Sequence, residues 1–351
     1  MDRDKVKAFA DRAFADMAGA MTAGMTYLGV KTGLFRALAG KGPMTLADVV
    51  AATNLQSRYV EEWLKGMASA GYLEYEPAGE TFRLPDEHAF LLASDGTDHF
   101  AGGLFLMAPS MLRVAPQVAE AFVKGGGVPF EQYGAEGITA LDEINRGNYE
   151  HRLTSYWLKA LPGAVAKLEA GGRALDVGCG VGRICIALAK AFPNAAIAGL
   201  DLDAESIRRA KAAAGDAGVG SRIAFAAQST AEAESGGGYD LITAFDCVHD
   251  FATPNKTLAE IRGLLKPDGV LFVAEPKAAD RLEDNFHPIG TMFYGFSLFH
   301  CMTQSLANGG PGLGTCMGPA RLKALLEEAG FTRFEALDIR SQVNSFYAAR
   351  R

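Results

Sequence analysis

The sequence predicts an α/β protein in two parts: an N-terminal helical domain with a winged helix, then an open sheet of five parallel strands and an antiparallel hairpin. Three observations support this class. Residues 45–84 show two helical patterns followed by two short strand patterns. From residue 171 onward, apolar strand patterns alternate with helical ones, as in a parallel sheet. A loop too short for a crossover helix joins the last two strands, which must therefore pair as a hairpin.

The N-terminal domain is predicted to span residues 1–92. Thr45 begins a helix as a capping residue, because its hydroxyl can accept from the N–H of Asp48. A second helix over 57–70 carries one apolar face, and two short strands over 71–84 turn around Pro77-Ala-Gly79. This order of elements is a winged helix-turn-helix.

The charge of the winged helix argues against DNA binding. Residues 45–73 carry two basic side chains against three acids, and the wing adds three glutamates against one arginine. DNA binding draws its affinity from neutralising phosphates, so an acidic surface disfavours it. We expect a dimerisation domain, although the same apolar side chains could cap their own core. The side chains expected at the interface are Met17, Met21, Met25, Tyr27, Leu28, Leu34, Phe35 and Leu38.

Residues 93–170 are predicted to form a helical linker or lid region. A Gly-rich segment over 125–134 carries Phe130 and Tyr133. Aromatic side chains are unusual in a pure linker, so a lid is favoured over a solvent-exposed connection.

Residues 171–351 are predicted to form the α/β domain. The expected parallel strands are 174–177, 196–201, 223–228, 239–245 and 270–275, and the expected hairpin strands are 334–339 and 344–349. Ligands of open α/β sheets bind at the carboxyl ends of the strands, so the segments that follow these strands are the candidate site.

A Gly-rich turn follows the first of these strands. Asp176 precedes Gly178-x-Gly180-x-Gly182, and Asp201 ends the next strand about twenty residues later. Glycines permit positive φ angles and a close approach of backbone to ligand. A dinucleotide site would place a third glycine at position 183, which is Arg183. The alternative is a turn that only lets helix and strand pack closely.

This D-x-G-x-G-x-G pattern resembles motif I of the class I S-adenosylmethionine (SAM) methyltransferases, and the five parallel strands with a hairpin resemble their Rossmann-like sheet. The resemblance implies SAM as cofactor and S-adenosylhomocysteine as product, with Asp201 accepting from the ribose hydroxyls. Gln228 and Ser229 stand where such enzymes often place an acid against the adenine. The cofactor-binding residues implied by the resemblance are Asp176, Gly178, Gly180, Asp201, Leu202, Gln228, Ser229, Phe245 and Asp246.

A second group of polar residues follows the fourth strand. His249-Asp250-Phe251 resembles the H-D-W segment of small-molecule O-methyltransferases, except at the third position. The resemblance implies that His249 is the general base and that Glu275, which ends the fifth strand, orients it. Asp250 completes the expected catalytic set, and a further family acid has no counterpart in Gly314–Gly318. Alternatively, His249 caps a helix or bonds a carbonyl, and Glu275 binds an amine or caps a turn.

The acceptor pocket is expected under an aromatic insertion over 286–317, with Phe130, Tyr133, Tyr294 and His300 as substrate-binding residues. The same insertion could instead be a dimer contact. Several segments together resemble a bacterial family of dimeric winged-helix SAM methyltransferases with mostly unassigned substrates. These segments are 58–64, 125–130, 245–250, 275–276, Tyr294-x-x-Ser297, His300-Cys301 and 312–315.

Composition limits the other possibilities. The net charge of −7 gives no support to nucleic acid or an anionic membrane as partner. Five cysteines without C-x-x-C disfavour a disulfide framework and a zinc site, so no metal is expected, and a cytoplasmic location fits. No signal peptide or membrane span is expected. The thiols of Cys247, Cys301 and Cys316 suggest a second substrate, thiol-bound arsenic, but no sequence motif supports that reading.

The sequence therefore predicts a dimeric SAM-dependent methyltransferase acting on a small apolar or aromatic acceptor that bears a hydroxyl. Two alternatives stay open: a C- or N-methyltransferase of the same fold without a histidine base, and a SAM-binding winged-helix regulator.

Overall fold

The computed structural model describes residues 1–351, which divide into two compact units. One unit comprises residues 1–110 with 139–147, and the other comprises residues 111–138 with 148–351. Residues 93–170, predicted as one separate region, contribute to both units.

The helices, in chain order, are α1 (Arg3–Thr32), α2 (Leu34–Leu38), α3 (Leu46–Thr53), α4 (Ser57–Ser69), α5 (Asp86–Leu92), α6 (Gly102–Arg113), α7 (Ala115–Lys124), α8 (Gly134–His151), α9 (Pro162–Glu169), α10 (Arg183–Ala191), α11 (Ala204–Asp216), α12 (Pro254–Leu264), α13 (Pro288–Phe296), α14 (Met302–Ala307) and α15 (Pro319–Glu328). The strands are β1 (Glu74–Glu76), β2 (Thr81–Arg83), β3 (Arg173–Val177), β4 (Ala196–Asp201), β5 (Ile223–Ala227), β6 (Tyr239–Phe245), β7 (Leu265–Pro276), β8 (Arg333–Leu337) and β9 (Asn344–Arg350).

The first unit contains the predicted winged helix. Thr45 and Asp48 form a reciprocal capping box at the start of α3, and β1 pairs with β2 as the wing. Trp63 of α4 packs edge-on against Phe35, and its indole N–H donates to the carbonyl of Met25 at 2.8 Å. The helices therefore share one buried core, centred on Leu64, which is fully buried.

Helix α1 presents large apolar side chains to solvent along most of its length. Phe9 is 73% exposed and Phe14 is 77% exposed. Val6, Met17 and Met21 are exposed on the same helix. Several large exposed apolar side chains on one helix are typical of an interaction site.

The second unit is built on a seven-stranded sheet of order β5-β4-β3-β6-β7-β9-β8. The first five strands pair in parallel, and β9 pairs antiparallel with both β7 and β8. This confirms the predicted fold class. Strand β7 begins at Leu265 rather than at 270, and β8 ends at Leu337, where the N–H of Ile339 turns back to the Leu337 carbonyl.

Strand β6 lies at the centre of this sheet, and all seven of its residues are buried. Its side chains alternate between two cores: Leu241 and Phe245 join one, and Ile242 and Ala244 join the other. Helices cover both faces of such a strand, which is the usual arrangement of a parallel sheet. The central strands therefore hold the segments that follow their carboxyl ends in fixed positions.

No helix in the chain combines the length and apolar character needed to cross a membrane.

The turn after β3 is fixed by Gly182, which precedes α10 with φ of 80°. A Cβ there would come within 2.7 Å of the Phe225 ring. Gly182 is therefore required both for its left-handed backbone and for close packing of α10.

Replacing Gly182 with Ala should lower the free energy of unfolding of the second unit by about 1–3 kcal/mol, because it combines left-handed strain with overpacking. Urea unfolding followed by circular dichroism measures this. Gly163→Ala is the matched control, since a Cβ at this position in α9 meets nothing within 4 Å. Equal midpoints for the two variants would contradict the role of Gly182.

Candidate active site at the carboxyl ends of the strands

The Gly-rich turn and Asp201 form one hydrogen-bonded structure. The N–H of Gly180 donates to Asp201 Oδ2 at 2.8 Å, and the N–H of Asp203 donates to Oδ1 at 2.9 Å. Burial raises the pKa of Asp201 against the effect of these donors. Each carboxylate oxygen accepts one amide in this arrangement and keeps a lone pair for a further donor.

The space beside Gly180, in the middle of the turn, is open. Gly178 and Gly180 have positive φ angles of 70° and 50°, and a Cβ added to Gly180 would meet nothing within 4 Å. Gly182 offers no side-chain cap to the N–H groups at the start of α10. The backbone at Gly180 can therefore approach a ligand closely, and the N–H groups at the start of α10 can donate to it.

Asp176 lies beneath this turn. It is 1% exposed, and its Oδ1 accepts from the Thr243 hydroxyl at 2.6 Å. Burial raises the pKa of Asp176 to about 7. The carboxyl group therefore links β3 to β6 from inside the sheet.

Three further residues predicted to bind the cofactor, Leu202, Gln228 and Ser229, differ in exposure and in their contacts. Leu202 is 79% exposed, so its side chain offers an apolar surface beside Asp201. The backbone N–H of Gln228 donates to the Asp201 carbonyl at 3.0 Å. The Ser229 hydroxyl donates to Glu232 at 2.8 Å in a capping box, so it has only a lone pair left for a ligand.

Phe245 is the last residue of β6 and Asp246 follows it, and their side chains have different surroundings. The Phe245 side chain points into the core and packs against Trp157 and Phe272, which leaves only its backbone near the strand end. Asp246 adopts a φ of 49°, and its Oδ1 accepts from Asn344 at 2.7 Å. Burial and then Glu275 raise the pKa of Asp246 to about 7.

His249 and Glu275 are joined directly. Nδ1 of His249 lies 2.5 Å from Glu275 Oε2, and Glu275 Oε1 accepts from the N–H of Val248 at 3.0 Å. His249 is 2% exposed and Glu275 is 4% exposed. Both carboxylate oxygens are thus used to fix the short 3-10 turn Val248–Asp250 and the imidazole on it.

The contact with Glu275 favours the protonated form of the His249 imidazole. Burial opposes the charged form, but the carboxylates of Glu275 and Asp250 outweigh it and hold the pKa of His249 well above its ordinary value. Because Nδ1 faces Glu275, Nε2 is the nitrogen left for other chemistry. It lies 3.5 Å from Asp250 Oδ1.

A helical segment closes over these residues. Between α13 and α14, the chain forms one π-helical turn, Ser297–Cys301, which buries His300 and Cys301. The Tyr133 ring lies 4.6 Å from the His300 ring, and the Phe130 ring lies 6.1 Å from it. The structure therefore brings three of the predicted substrate residues together. Tyr294, the fourth, is 43% exposed on α13 and is not part of this buried group.

The predicted lid segment is docked in this structure. Val128 donates its N–H to the hydroxyl of Thr303 at 3.0 Å, and the Tyr133 hydroxyl donates to the Phe299 carbonyl at 2.6 Å. Gly127 lies so close to the Thr303 carbonyl that a Cβ would come within 1.8 Å. Residues 127–133 therefore form one wall of the group that contains His300.

Several buried polar atoms of this group have no hydrogen-bond partner. They are Asp250 Oδ1, His300 Nε2, Gln304 Oε1 and Thr315 Oγ1. Burial, with a smaller effect of His249, lowers the pKa of His300 to about 4, so it is neutral at physiological pH. Buried polar atoms without partners are costly, which points to a ligand or water that completes them.

Gln304, Thr315, Asn344 and Tyr149 were missed by the sequence analysis as site residues. The Tyr149 hydroxyl lies 3.5 Å from Asp246 Oδ2. Only Thr315 had a signal, because it ends one of the segments that carry the family resemblance.

The residues around the Gly-rich turn fit SAM. Open space over Gly180, lone pairs on Asp201 for a ribose diol and the exposed Leu202 match a nucleoside with two hydroxyls and a flat base. The polar group around His249 lies after the neighbouring strands β6 and β7. Cofactor and acceptor would thus meet at one edge of the sheet.

Comparison with known proteins identifies two domains in the chain. Residues 168–330 match a family model described as a methyltransferase domain, and residues 20–94 match an Rv2258c-like winged helix-turn-helix domain. A ubiquinone biosynthesis O-methyltransferase from Bordetella avium is 31% identical over 118 residues, covering 33% of this chain and 46% of that protein. The chain thus spans less than half the length of that curated relative.

Solved structures resemble the chain over nearly its whole length. A candidate O-methyltransferase from Nostoc punctiforme has a TM-score of 0.72 at 20% identity, covering 97% of this chain and 98% of its own. Human N-acetylserotonin methyltransferase, solved in complex with SAM, has a TM-score of 0.68 at 21% identity, covering 97% of each chain. At this identity the likeness shows the fold.

The chain thus combines a methyltransferase domain with an N-terminal winged helix-turn-helix domain, and its fold is that of solved O-methyltransferases. More particularly, residues 168–330 are its methyltransferase domain, and SAM is the cofactor of this class.

Replacing Asp201 with Asn should weaken binding of S-adenosylhomocysteine on the order of tenfold to a hundredfold, because hydrogen bonds to a charged acceptor contribute roughly 1.5–3 kcal/mol. Isothermal titration calorimetry measures the affinity. Asp216→Asn, at the opposite end of α11, is the control and should bind normally. Unchanged affinity in Asp201→Asn would show that Asp201 does not bind the cofactor.

Proposed function

We propose that this protein is a SAM-dependent O-methyltransferase acting on a small apolar or aromatic acceptor, with His249 as general base. One observation carries the proposal: the buried contact between His249 Nδ1 and Glu275, which leaves Nε2 directed away from the carboxylate. A hydroxyl must lose its proton to become a good nucleophile, and histidine is suited to take it.

Glu275 has two functions in this proposal. It fixes the tautomer and orientation of the ring through Nδ1, and its negative charge stabilises the imidazolium that forms when Nε2 takes the proton. The raised pKa makes the neutral imidazole of His249 a stronger proton acceptor, but it also keeps more of the protein in the protonated form, which must lose its proton before it can act as a base. SAM supplies the electrophilic methyl group when bound.

The surroundings of His300 support a mainly apolar acceptor with few polar groups. Phe130 and Tyr133 lie against the His300 ring, while the buried unpaired atoms of His300 and Thr315 provide hydrogen-bond partners. Such a lining is typical of small-molecule pockets. The relative from Bordetella avium, named as an O-methyltransferase of ubiquinone biosynthesis, supports methyl transfer to oxygen.

Incubating the full-length protein with methyl-labelled SAM and a cell extract should label a hydroxyl-bearing small molecule. His249→Ala should lower the labelling rate by about 10²–10⁴, because a positioned base contributes this much. Mass spectrometry identifies the product. His287→Ala is the control, since that histidine is exposed and only caps α13.

Binding of S-adenosylhomocysteine verifies that each variant is folded. Labelling by His249→Ala at the wild-type rate would contradict the base role and favour methylation of carbon or nitrogen. An absence of label with the wild-type protein would contradict the enzymatic proposal itself.

We also propose that the winged-helix unit forms a homodimer through α1. Its exposed apolar side chains are the observation that supports this, because their burial against a second copy would remove a large apolar area from water. The acidic balance of residues 45–84 argues against DNA as the partner. Retardation of duplex DNA at about 50 mM salt would instead favour a regulator. A reducing compartment, such as the cytoplasm, suits the five free cysteines.

Replacing both Phe9 and Phe14 with Glu should convert the dimer to monomer, because like charges would face each other across the interface. Analytical ultracentrifugation measures the mass. Phe122→Glu is the control, since Phe122 is 76% exposed on α7, outside α1. A dimer that survives the double substitution would place the interface elsewhere.

A further inference from the structure

The proposed base His249 and two neighbouring side chains, the partly buried Asp250 and the buried Cys301, bring a nitrogen, an oxygen and a sulfur atom close together. The ligand atoms of His249, Asp250 and Cys301 all lie within 4.8 Å of one another. Nε2 of His249 and Oδ1 of Asp250 are separated by 3.5 Å. Zinc–ligand bonds of about 2.0–2.3 Å place tetrahedral ligands roughly 3.3–3.8 Å apart. One edge of such a site therefore already has the required length.

We propose that His249 Nε2, Asp250 Oδ1 and Cys301 Sγ bind a thiophilic divalent cation of the zinc class. This site goes beyond the proposed methyl transfer. The donor set selects the metal: a thiolate with imidazole suits zinc, whereas magnesium and calcium take oxygen ligands. The sequence spacing gives no sign of the site, because Cys301 lies far along the chain from His249 and Asp250.

A second observation concerns the hydrogen bonding of the Asp250 carboxylate. Its Oδ1 is buried and has no hydrogen-bond partner. The nearest positive charge to this oxygen is the protonated form of His249 at 3.5 Å, which is too long for a good hydrogen bond, whereas a bound cation would contact the oxygen directly. The atom that lacks a partner is the same atom that faces His249 Nε2.

Glu275 is the third observation. Metal-binding histidines commonly donate their second ring N–H to a carboxylate, which fixes the ring and aims the other nitrogen at the metal. Glu275 has this position on Nδ1, at 2.5 Å. The carboxylate that orients His249 as a base would also orient it as a ligand.

With three protein ligands, a tetrahedral ion keeps one open position. Thr315 Oγ1 and His300 Nε2 are buried polar atoms without partners in the same group, and His300 Nδ1 lies 3.6 Å from Cys301 Sγ. Water on the ion could bond to either atom. Since Nε2 cannot hold a metal and take a proton together, the metal-bound state excludes base catalysis. Bound zinc would then inhibit methyl transfer, because it competes with the acceptor's proton for His249 Nε2.

The test uses the metal-stripped full chain without SAM or acceptor. Titration with Co²⁺ should give one equivalent per chain and a thiolate-to-cobalt charge-transfer band in the near ultraviolet, and Zn²⁺ should displace the Co²⁺. Cys301→Ser should abolish the band, and Asp250→Asn should weaken binding at least about tenfold. Glu275→Gln should weaken binding by about 10- to 100-fold, as for other carboxylates that orient a metal ligand. Cys316→Ser, which alters a half-buried thiol outside the three ligands, should match the wild type.

Two results would overturn the site: no stoichiometric binding by the wild-type chain, or a charge-transfer band that survives Cys301→Ser or depends on Cys316. Binding of S-adenosylhomocysteine by each variant verifies the fold. Because cobalt binding is measured without methyl transfer, a failure of the labelling experiment leaves this result standing. Labelling that zinc accelerates would support the site but contradict the assignment of His249 as base.

Discussion

The register between β6 and β7 is the constraint on which the site depends. Phe245 pairs with Ala274, so the residues that follow each of them leave the sheet side by side. Glu275 then reaches both the Val248 N–H and His249 Nδ1. A shift of one residue in β7 would turn Glu275 to the other face of the sheet. Full burial of β6 makes such a shift costly, because its apolar side chains fill the cores on both faces.

Two groups of polar residues lie at different strand ends of this sheet. Asp201 and the Gly-rich turn lie at the ends of β3 and β4, whereas His249 and Glu275 lie at the ends of β6 and β7. Strand β3 pairs with β6, so the two groups belong to neighbouring strands. The first offers backbone donors and a carboxylate, which suit a nucleoside. The second lies beside the aromatic group formed by Phe130, Tyr133 and His300, which suits the apolar acceptor we propose.

Sequence patterns predicted which candidate site residues lie at the ends of strands. Alternating apolar segments predicted which segments form the parallel strands, and the resemblance to O-methyltransferases implied the contact of His249 with Glu275, which the structure contains. The patterns could not show side-chain direction, so the inward turn of Phe245 and the capping role of Ser229 were not predicted. Gln304 and Asn344 were missed because irregular backbone, with no period, brings them to the site.

The π-helical turn Ser297–Cys301 limits how this chain can evolve. A π turn contains one residue more than an α turn, and each residue of a helix rotates the next by about 100°. Deletion of a single residue there would restore a regular helix and rotate either His300 or Cys301 out of the buried group. Substitutions on the exposed side of α13 leave that rotation unchanged. Among descendants of this sequence, the length of the segment between α13 and α14 should therefore vary less than its composition.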